Sequence, residues 1–444
     1  MLNYPFKHAR PSWIASVLLT LATVFAGHLH AEQPVQVVAT GGRIGVYPYK
    51  PGSRTAFWHR TPHQLGGPVD EIRLGFMNWM LAYSSEINND NPVTIDHAWL
   101  VRASDGQVVP LTFNGERDFT MPAESEEPFW PADPIDSSVW SSGRPQKDEV
   151  FWLHVKGHIP DSEAKVCQGS PVGYRGSRFT TYHPENDPGT KDFAGSVPSI
   201  SDKKNRTRGL PVVFLGRYSE PGHLAVIGIG DSILDGSGDS SRIYGSIGGF
   251  GFFNRAATDE NGENTIAMFN LTRHGAGAIC WQKAGNVRQH HFLKYANVVV
   301  EEYGTNDLGS AGGGDVNEIK SRLEHIWTLC REAGVEKIVR TQLLPRTKST
   351  DGWRTKENQT PNNNWDADGS RDALNDFFET AVADGKIDVV APTLSVVSDP
   401  TDSHYWLTDG EPKHVTSDGT HVNSNGNKLL APVIRAELLA LSTK

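Results

Sequence analysis

The chain has 444 residues and a formal net charge of −10, with 37% apolar and 21% charged residues. This length predicts two or three domains, and the composition is typical of a folded globular protein rather than a disordered one. An acidic chain without a run of lysine or arginine argues against a nucleic-acid partner. The three cysteines include no Cys-x-x-Cys pair, which excludes a disulfide scaffold and a zinc ribbon.

The first segment has the pattern of an export signal. Residues 1–12 contain basic side chains and no acidic one, and residues 13–26 are almost entirely apolar. That apolar stretch is shorter than the roughly 20 residues that a membrane span needs. We therefore predict a signal peptide over residues 1–31, cleaved after Ala31, with Ala26 as the competing site and an uncleaved anchor as the alternative. The mature protein is then expected to be secreted or periplasmic, without stable membrane insertion.

Export has a consequence for the cysteines. Secreted and periplasmic proteins meet an oxidising compartment, in which disulfides form and persist. Three cysteines then give one disulfide and one free thiol as the simplest count. The sequence leaves open how Cys167, Cys280 and Cys330 would pair.

The first half of the chain has the pattern of β-structure. From about residue 35 to residue 201, apolar and polar residues alternate, and Gly, Pro, Asn or Asp interrupt the pattern every ten or so residues. Such short runs, of which 71–76 and 149–157 are examples, predict a β-rich, sandwich-like domain over residues 32–205. The polar residues 198–210 are interpreted as a linker.

The pattern changes after residue 210. Near-continuous apolar runs such as 223–230 and 296–304 are expected for strands that are buried on both faces. Between them lie helical patterns, of which residues 316–334 end at a glycine suited to a helix C-cap. This alternation predicts an α/β domain with three layers and a parallel sheet over residues 206–444. Ligands bind beyond the carboxyl ends of the strands in such sheets.

Polar residues cluster where that rule places the chemistry. The three clusters lie at residues 231–233, 305–307 and 417–421. A serine, a histidine and a carboxylate are the parts of a nucleophilic acyl-transfer site. Asp418 and His421 are three residues apart, so that one turn can bring both side chains to Ser232.

Each part has a structural alternative. A serine after a strand commonly caps a helix, and Asn306 and Asp418 are residue types that turns favour. A second Gly-Asp-Ser at residues 238–240 lies in a loop-like stretch, so the tripeptide proves little by itself. No Gly-x-Ser-x-Gly occurs, which argues against the nucleophile elbow of the α/β-hydrolases.

Four blocks in order carry a family resemblance. They are Gly-Asp-Ser-Ile (230–233), Asn-Leu-Thr-Arg-His-Gly (270–275), Gly-Thr-Asn-Asp (304–307) and Asp-Gly-Thr-His (418–421). In this order they resemble the SGNH (GDSL) hydrolase family. The resemblance covers about residues 210–444, and it implies a flavodoxin-like α/β/α fold that needs no metal or cofactor.

The resemblance also implies roles for single residues. Ser232 would be the nucleophile, His421 the general base and Asp418 its partner. The backbone N–H groups of Ser232 and Gly275 and the side-chain amide of Asn306 would form the oxyanion hole. The chain departs from the family's commonest form in two places. Leu234 follows the Ser-Ile pair, and Gly277 competes with Gly275 for its role.

A long polar connection is a further feature of the second half. Residues 347–370 exceed an ordinary α/β connection and are a candidate wall or lid beside the site. We consider Trp281, Trp353 and Trp365 as candidate substrate-binding residues that could stack on sugar rings, with core packing as the alternative.

Enzymes of this family cut esters. Together with the predicted export, the resemblance to secreted carbohydrate esterases predicts an enzyme that removes acetyl groups from a polysaccharide or oligosaccharide. A lipolytic or aryl esterase and a glycan O-acetyltransferase are alternatives within the same chemistry. A non-catalytic glycan-binding exoprotein is the alternative from another class. The β-rich domain would bind glycan, shape the cleft or brace the catalytic domain.

Overall fold

A computed structural model describes residues 32–442, except 172, 173, 175, 190, 240–246, 248, 249 and 310–313. The predicted signal peptide, residues 1–31, lies outside the described residues. Ser240 of the second Gly-Asp-Ser also lies outside them.

Strands dominate the first half of the described chain. The strands are β1 (Val35–Val37), β2 (Gly42–Arg43), β3 (Tyr47–Tyr49), β4 (Ala56–Gln64), β5 (Val69–Phe76), β6 (Trp79–Ala82), β7 (Ser85–Asn88), β8 (Val93–Arg102), β9 (Val108–Pro110), β10 (Phe119–Met121), β11 (Trp130–Pro131), β12 (Ile135–Asp136), β13 (Val150–His158), β14 (Val166–Gln168), β15 (Arg178–Tyr182), β16 (Lys204–Arg206), β17 (Val212–Tyr218), β18 (Ala225–Ile229), β19 (Ala267–Asn270), β20 (Val298–Glu301), β21 (Lys337–Thr341), β22 (Thr347–Ser349), β23 (Gln359–Pro361), β24 (Val389–Ala391), β25 (Ser398–Asp399) and β26 (Asp402–Trp406).

The α-helices of the described residues all lie in the second half. They are α1 (Gly251–Arg255), α2 (Arg288–Phe292), α3 (Thr305–Leu308), α4 (Val316–Glu332), α5 (Ser370–Ala383), α6 (Leu394–Val397) and α7 (Ser424–Ser442). Short 3-10 helices cover Ser137–Val139, Pro184–Asn186, Ala278–Trp281 and Leu293–Tyr295. None of these helices has the length and apolar character to cross a membrane, within the residues that the structure describes.

The largest sheet has eleven strands. Its central order is β11-β5-β17-β2-β19-β18-β20-β21-β24, with β1 beside β17 and β12 beside β5. The pairs from β2 to β24 are parallel, and β17 is antiparallel to β2. The parallel strands β18, β19, β20, β21 and β24 can be numbered 1 to 5 in chain order. Their order across the sheet is then 2-1-3-4-5, which is the order of a flavodoxin-like sheet.

Helices cover both faces of the parallel part. Val226 of β18 lies in one core with residues of α1 and α7, and its neighbour Ile227 lies in another with residues of α4 and α5. Successive side chains of a strand point to opposite faces, which explains why the run of β18 is apolar throughout. The α/β prediction is confirmed. The sheet is mixed rather than purely parallel, because strands of the first half pair along its edge.

A second sheet contains seven strands of the first half. Its order is β10-β8-β13-β4-β15-β16, with β9 beside β8, and its pairs are antiparallel. Phe57, Leu100 and Phe151 from this sheet share a core with Leu74 and Phe214 from the large one. The two sheets therefore pack face to face through apolar side chains, as in a sandwich.

The predicted division at residues 205 and 206 remains a prediction. Residues Val35–Lys444 group into one compact unit. The predicted linker, residues 198–210, contains β16, which pairs with β15.

The cysteines differ from expectation. Cys167, Cys280 and Cys330 are all buried and free. The expectation of one disulfide is therefore wrong for this structure. Each thiol is enclosed by the fold around it, and burial raises the pKa of Cys167 and Cys280 to about 12.

Candidate active site

Ser232 stands at the carboxyl end of β18. The Ile233 N–H donates to Asp231 Oδ1 at 2.9 Å, and the Ser237 N–H donates to the Ser232 carbonyl at 3.0 Å. These bonds close a tight turn directly after the strand. Ser232 is 7% exposed, so its hydroxyl lies at the edge of the sheet with little access to solvent.

His421 connects Ser232 to Asp418. His421 Nε2 lies 2.8 Å from Ser232 Oγ, and His421 Nδ1 lies 2.8 Å from Asp418 Oδ2. The other oxygen of Asp418 accepts the backbone N–H groups of Thr420, at 2.9 Å, and His421, at 2.8 Å. The structure thus brings together the three side chains that were predicted from their spacing.

The charge on Asp418 decides how the imidazole is oriented. Partial burial raises the pKa of Asp418, but hydrogen bonds from the His421 side chain and backbone outweigh that effect and hold the pKa at about 2. An ionised carboxylate only accepts hydrogen bonds, so Nδ1 of His421 carries a proton. The lone pair of Nε2 then faces the Ser232 hydroxyl and can accept its proton.

The long connection supports the loop that carries this pair. Gly419 has φ +76°, and a Cβ there would lie 1.9 Å from the Thr347 carbonyl oxygen and 2.7 Å from the Trp353 ring. Its carbonyl oxygen accepts the Thr347 N–H at 3.0 Å and Trp406 Nε1–H at 3.1 Å. Residues 347–370 therefore hold the loop in place by direct packing.

The loop after β19 offers a free N–H group. Gly275 has φ +75°, and a Cβ there would lie 2.7 Å from the Tyr83 ring, so only glycine fits. The Gly277 N–H donates to Ser84 Oγ at 3.1 Å. Within the described residues the Gly275 N–H has no hydrogen-bond acceptor. Of the two competing glycines, Gly275 has the donor that remains available.

Asn306 lies on the neighbouring turn. Its Nδ2 donates to the Ala276 carbonyl at 2.9 Å, which fixes the orientation of the amide and leaves the second N–H for another acceptor. Its backbone N–H donates to Asp231 Oδ2 at 3.3 Å. Asp231 therefore ties the Asn306 turn to the serine turn, and N–H donors of two loops stand beside Ser232.

A buried carboxyl pair lies under the serine turn. The Asp231 N–H donates to Glu302 Oε2 at 3.0 Å, and both side chains are buried. Burial raises the pKa of Asp231 to about 6 and that of Glu302 well above its usual value, and in Glu302 the charge of Asp231 adds to the effect. Sequence reasoning missed this pair, although a glutamate at the end of an apolar strand run was a signal.

We expect Glu302→Gln to stabilise the protein at high pH. Both carboxyls bind protons more tightly in the folded than in the unfolded state, so the free energy of unfolding of the natural protein falls as pH rises through about 4 to 6 and beyond. Glutamine keeps the acceptor for the Asp231 N–H and cannot ionise. The variant should exceed the natural protein by on the order of 2 kcal/mol at pH 8, with the difference closing towards pH 4.

Denaturant unfolding between pH 4 and pH 8 measures this difference. Glu336→Gln, at an exposed position, is the matched control and should leave the pH profile unchanged. A Glu302→Gln variant that is less stable than the natural protein at pH 8 would contradict the raised pKa of Glu302.

Two of the three candidate tryptophans are core residues. Trp281 is 1% and Trp365 is 2% exposed, and Trp281 stacks on His290. Their rings are covered by packing, so the prediction that they bind substrate is wrong. Trp353 is partly exposed, and its Nε1–H donates to Thr347 Oγ1 at 2.9 Å. It packs beside the Asp418–His421 loop.

Two cavities lie on either side of the Gly275 loop. The first, of about 420 Å³, is lined by Ala82, Tyr83, Ser84, Ser85, Gly275, Gly277, Ile279, Lys283 and Asn306. The second, of about 280 Å³, is lined by Tyr47, Arg208, Asp235, Gly236, Ser237, Gly238, Asp239, Phe250 and His274. We call them the Tyr83 cavity and the Arg208 cavity. Neither is lined by the long connection, whereas residues of the first half contribute to both.

In the described part of the chain, no three His, Cys, Asp or Glu side chains are placed to hold a metal ion. The arrangement around Ser232 supplies a hydroxyl, a base with an ionised partner, and N–H donors from two loops. Those groups are sufficient for acyl transfer through a covalent intermediate.

The comparison with protein-family models agrees with the four sequence blocks. A model of the GDSL-like lipase/acylhydrolase family matches residues 229–429, a segment that contains all the predicted catalytic and oxyanion residues. A search of curated proteins gives no match.

Several solved structures overlap with part or most of the chain. A GDSL-like lipase from Bacteroides thetaiotaomicron is 15% identical, with 49% of this chain and 88% of that one covered and a TM-score of 0.34. A family two carbohydrate esterase from Clostridium thermocellum, in complex with cellohexaose, is 12% identical, with 90% and 98% covered and a TM-score of 0.32. A carbohydrate acetylesterase from Sinorhizobium meliloti is 14% identical, with 49% and 98% covered and a TM-score of 0.32. Structural similarity at these TM-scores gives no information about the substrate of this protein.

The predicted family is confirmed by the family model. Residues 229–429 belong to the GDSL-like lipase/acylhydrolase family, and the protein is a carboxylic ester hydrolase of the SGNH type.

Proposed function

We propose that the protein is an exported serine esterase that removes small acyl groups, acetyl first among them, from a carbohydrate. The observation that carries the proposal is the hydrogen-bonded chain from Ser232 Oγ through His421 to Asp418, with both links at 2.8 Å. Free N–H donors of Gly275 and Asn306 stand on the loops beside it.

The reaction follows from these groups. His421 Nε2 takes the proton of Ser232 Oγ as the oxygen attacks the ester carbon. The oxyanion that forms accepts hydrogen bonds from the N–H groups of Ser232 and Gly275 and from Asn306 Nδ2. The imidazolium, stabilised by Asp418, then gives its proton to the departing alcohol, which leaves an acyl-serine. Water attacks that intermediate with His421 again as base, and the carboxylic acid leaves.

The Tyr83 cavity supports a sugar as the alcohol part. The Tyr83 side chain is an exposed aromatic at 66% relative exposure. Beside it lie the hydroxyls of Ser84 and Ser85, and Lys283 Nζ donates to Ser85 Oγ at 2.7 Å. An aromatic face with convergent polar groups suits a polyhydroxylated ring. A long acyl chain would need an apolar channel, so the polar side chains of Ser84, Ser85 and Lys283 in the lining favour a small acyl group.

We further propose that the β-rich first half shapes this cleft. Arg273 Nε donates to the Leu81 carbonyl at 2.7 Å, which ties the β6–β7 hairpin to the loop that carries Gly275. The Tyr83 ring lies against Gly275 itself. Loss of the hairpin would therefore open the oxyanion side of the site. The predicted signal peptide over residues 1–31 supports the exported location.

A series of p-nitrophenyl esters from acetyl to hexadecanoyl tests the proposal. We expect kcat/KM to be highest for acetyl, and acetate to be released from acetylated polysaccharide. A kcat/KM that rises with chain length would favour a lipolytic enzyme. Acetyl recovered on an acceptor glycan rather than in acetate would favour a transferase. Glycan binding without any turnover would favour the non-catalytic alternative.

Asn306→Ala should lower kcat for acetyl esters by about 10²- to 10³-fold, because one oxyanion donor is lost. KM should change little, since the donor acts on the charge that develops in the transition state. Steady-state kinetics measures both constants. Asn261→Ala, at an exposed position, is the matched control. A kcat within twofold of the natural value would remove Asn306 from the oxyanion hole.

A further inference from the structure

One wall of the Arg208 cavity is formed by the guanidinium group of Arg208. The Arg208 side chain lines the cavity, and its guanidinium carbon lies 5.4 Å from the centroid of the Tyr47 ring. Within the described residues it makes no side-chain hydrogen bond and no ion pair, and none of its nitrogens is sealed from solvent. A guanidinium in this position can form new hydrogen bonds with a ligand that enters the cavity.

The two carboxylates that line the cavity already have partners. Asp235 forms an ion pair with Arg43, and both side chains are less than 5% exposed. Asp239 forms a two-bond ion pair with Arg255, with both contacts at 2.9 Å. Asp235 Oδ2 also lies 3.5 Å from His274 Nδ1. Each carboxylate is therefore already paired with an arginine other than Arg208.

Positive charge is in excess around this cavity. Arg43, Arg208 and Arg273 cluster about the single carboxylate of Asp235. Burial lowers the pKa of Arg208, and repulsion from Arg43 and Arg273 lowers it further, whereas Asp235 and Tyr47 raise it. An anion in the cavity would relieve that repulsion. The protein as a whole is acidic, so this local charge is opposite in sign to the net charge of −10.

The cavity adjoins the reacting groups. Ser237 lines it, and the Ser237 N–H donates to the Ser232 carbonyl at 3.0 Å. Gly238 also lines it, and a Cβ on Gly238 would lie 3.2 Å from His421 Cβ. His274, on another wall, directly precedes Gly275. The cavity therefore adjoins the turn that carries Ser232 and the loops that carry His421 and Gly275.

We propose that the Arg208 cavity binds an anionic group of the substrate, a carboxylate or a sulfate ester on the sugar that carries the acyl group. Arg208 supplies the guanidinium, whose planar fork matches both anions. The inference rests on the proposed esterase function and narrows its substrate to acidic carbohydrates.

Three mono-acetylated sugars that differ in charge test the inference. They are acetylated glucose, acetylated glucuronic acid and acetylated glucose sulfate, and p-nitrophenyl acetate serves as the measure of esterase activity. The natural enzyme should prefer one anionic sugar to glucose by about 10-fold or more in kcat/KM, as one charge-assisted hydrogen bond would give. Preference for the uronate identifies a carboxylate, and preference for the sulfated sugar identifies a sulfate.

Arg208→Gln should lower that preference by about 10-fold or more, and Arg208→Lys should restore part of it because the charge is kept. Arg144→Gln removes a charge from an exposed pair with Asp70 and should leave the preference unchanged. Equal kcat/KM for the three sugars in the natural enzyme would overturn the inference, and so would an unchanged preference in Arg208→Gln. In either case, turnover of p-nitrophenyl acetate would still support the proposed esterase function. If Arg208→Gln does not fold, the test is the comparison of the Arg208→Lys variant with the natural enzyme, in their preference for the anionic sugar over glucose. Absence of p-nitrophenyl acetate turnover would overturn both proposals.

Discussion

Ser232→Ala should lower kcat for acetyl ester hydrolysis by about 10⁴-fold or more, with little change in KM. The hydroxyl forms the covalent bond to the acyl group, and alanine has no atom that can replace it. The fold should tolerate the change, because the Ser232 contacts with the turn are made by its backbone carbonyl. Hydrolysis of p-nitrophenyl acetate, corrected for the uncatalysed rate, measures the loss.

The control for this variant is Ser162→Ala, which removes a hydroxyl at an exposed position away from both cavities. It should retain full activity. Residual activity within 10-fold of the natural enzyme in Ser232→Ala would place the nucleophile elsewhere in the chain.

His421→Gln should lower kcat by about 10³- to 10⁵-fold, and the double variant Ser232→Ala/His421→Gln should lose little more than either single one. The serine is a weak nucleophile unless a base takes its proton, so the two side chains act as one unit. Glutamine fills a similar volume but cannot accept and return a proton. Single-turnover kinetics of acetyl-ester cleavage measures the step directly.

His158→Gln is a matched control for that change. His158 lies 2.8 Å from Asp96 in an exposed pair, and no serine lies on the other side of its ring within the described contacts. Its substitution should leave kcat unchanged. Losses that multiply in the double variant would show that Ser232 and His421 act independently, against the proposed mechanism.

The α/β half could be predicted from local sequence pattern. The apolar run of β18 is continuous because both faces of the strand are buried, and the spacing in residues 316–334 matches α4. The joining of the halves could not be predicted. β5 and β17 pair in register although about 140 residues separate them, and periodicity gives the face of a strand but not its partner.

The candidate active site also contains some residues that the sequence pattern predicted and others that it did not. Ser232, Asp418 and His421 were predicted from blocks that lie at strand ends, and the topology brings those ends to one edge of the sheet. Tyr47 and Tyr83 were missed because they reach the site from the first half through tertiary contacts alone, and Arg208 was missed because it lies in the segment interpreted as a linker.

The tryptophan prediction failed for a different reason. An aromatic side chain contributes equally to a sugar platform and to a core, and only packing separates the two uses. Trp281 and Trp365 are enclosed, whereas the exposed aromatic beside Gly275 is Tyr83. A tyrosine in a hairpin of the first half gave no signal that could be connected with the blocks of the second.

Labelling with a fluorophosphonate that phosphonylates activated serines tests the central claim most directly. The reagent should add to the natural protein in a one-to-one ratio, and peptide mapping by mass spectrometry should place the adduct on Ser232. Labelling should vanish in Ser232→Ala and fall strongly in His421→Gln. An adduct on another residue, or undiminished labelling of Ser232→Ala, would contradict the assignment of Ser232 as the nucleophile.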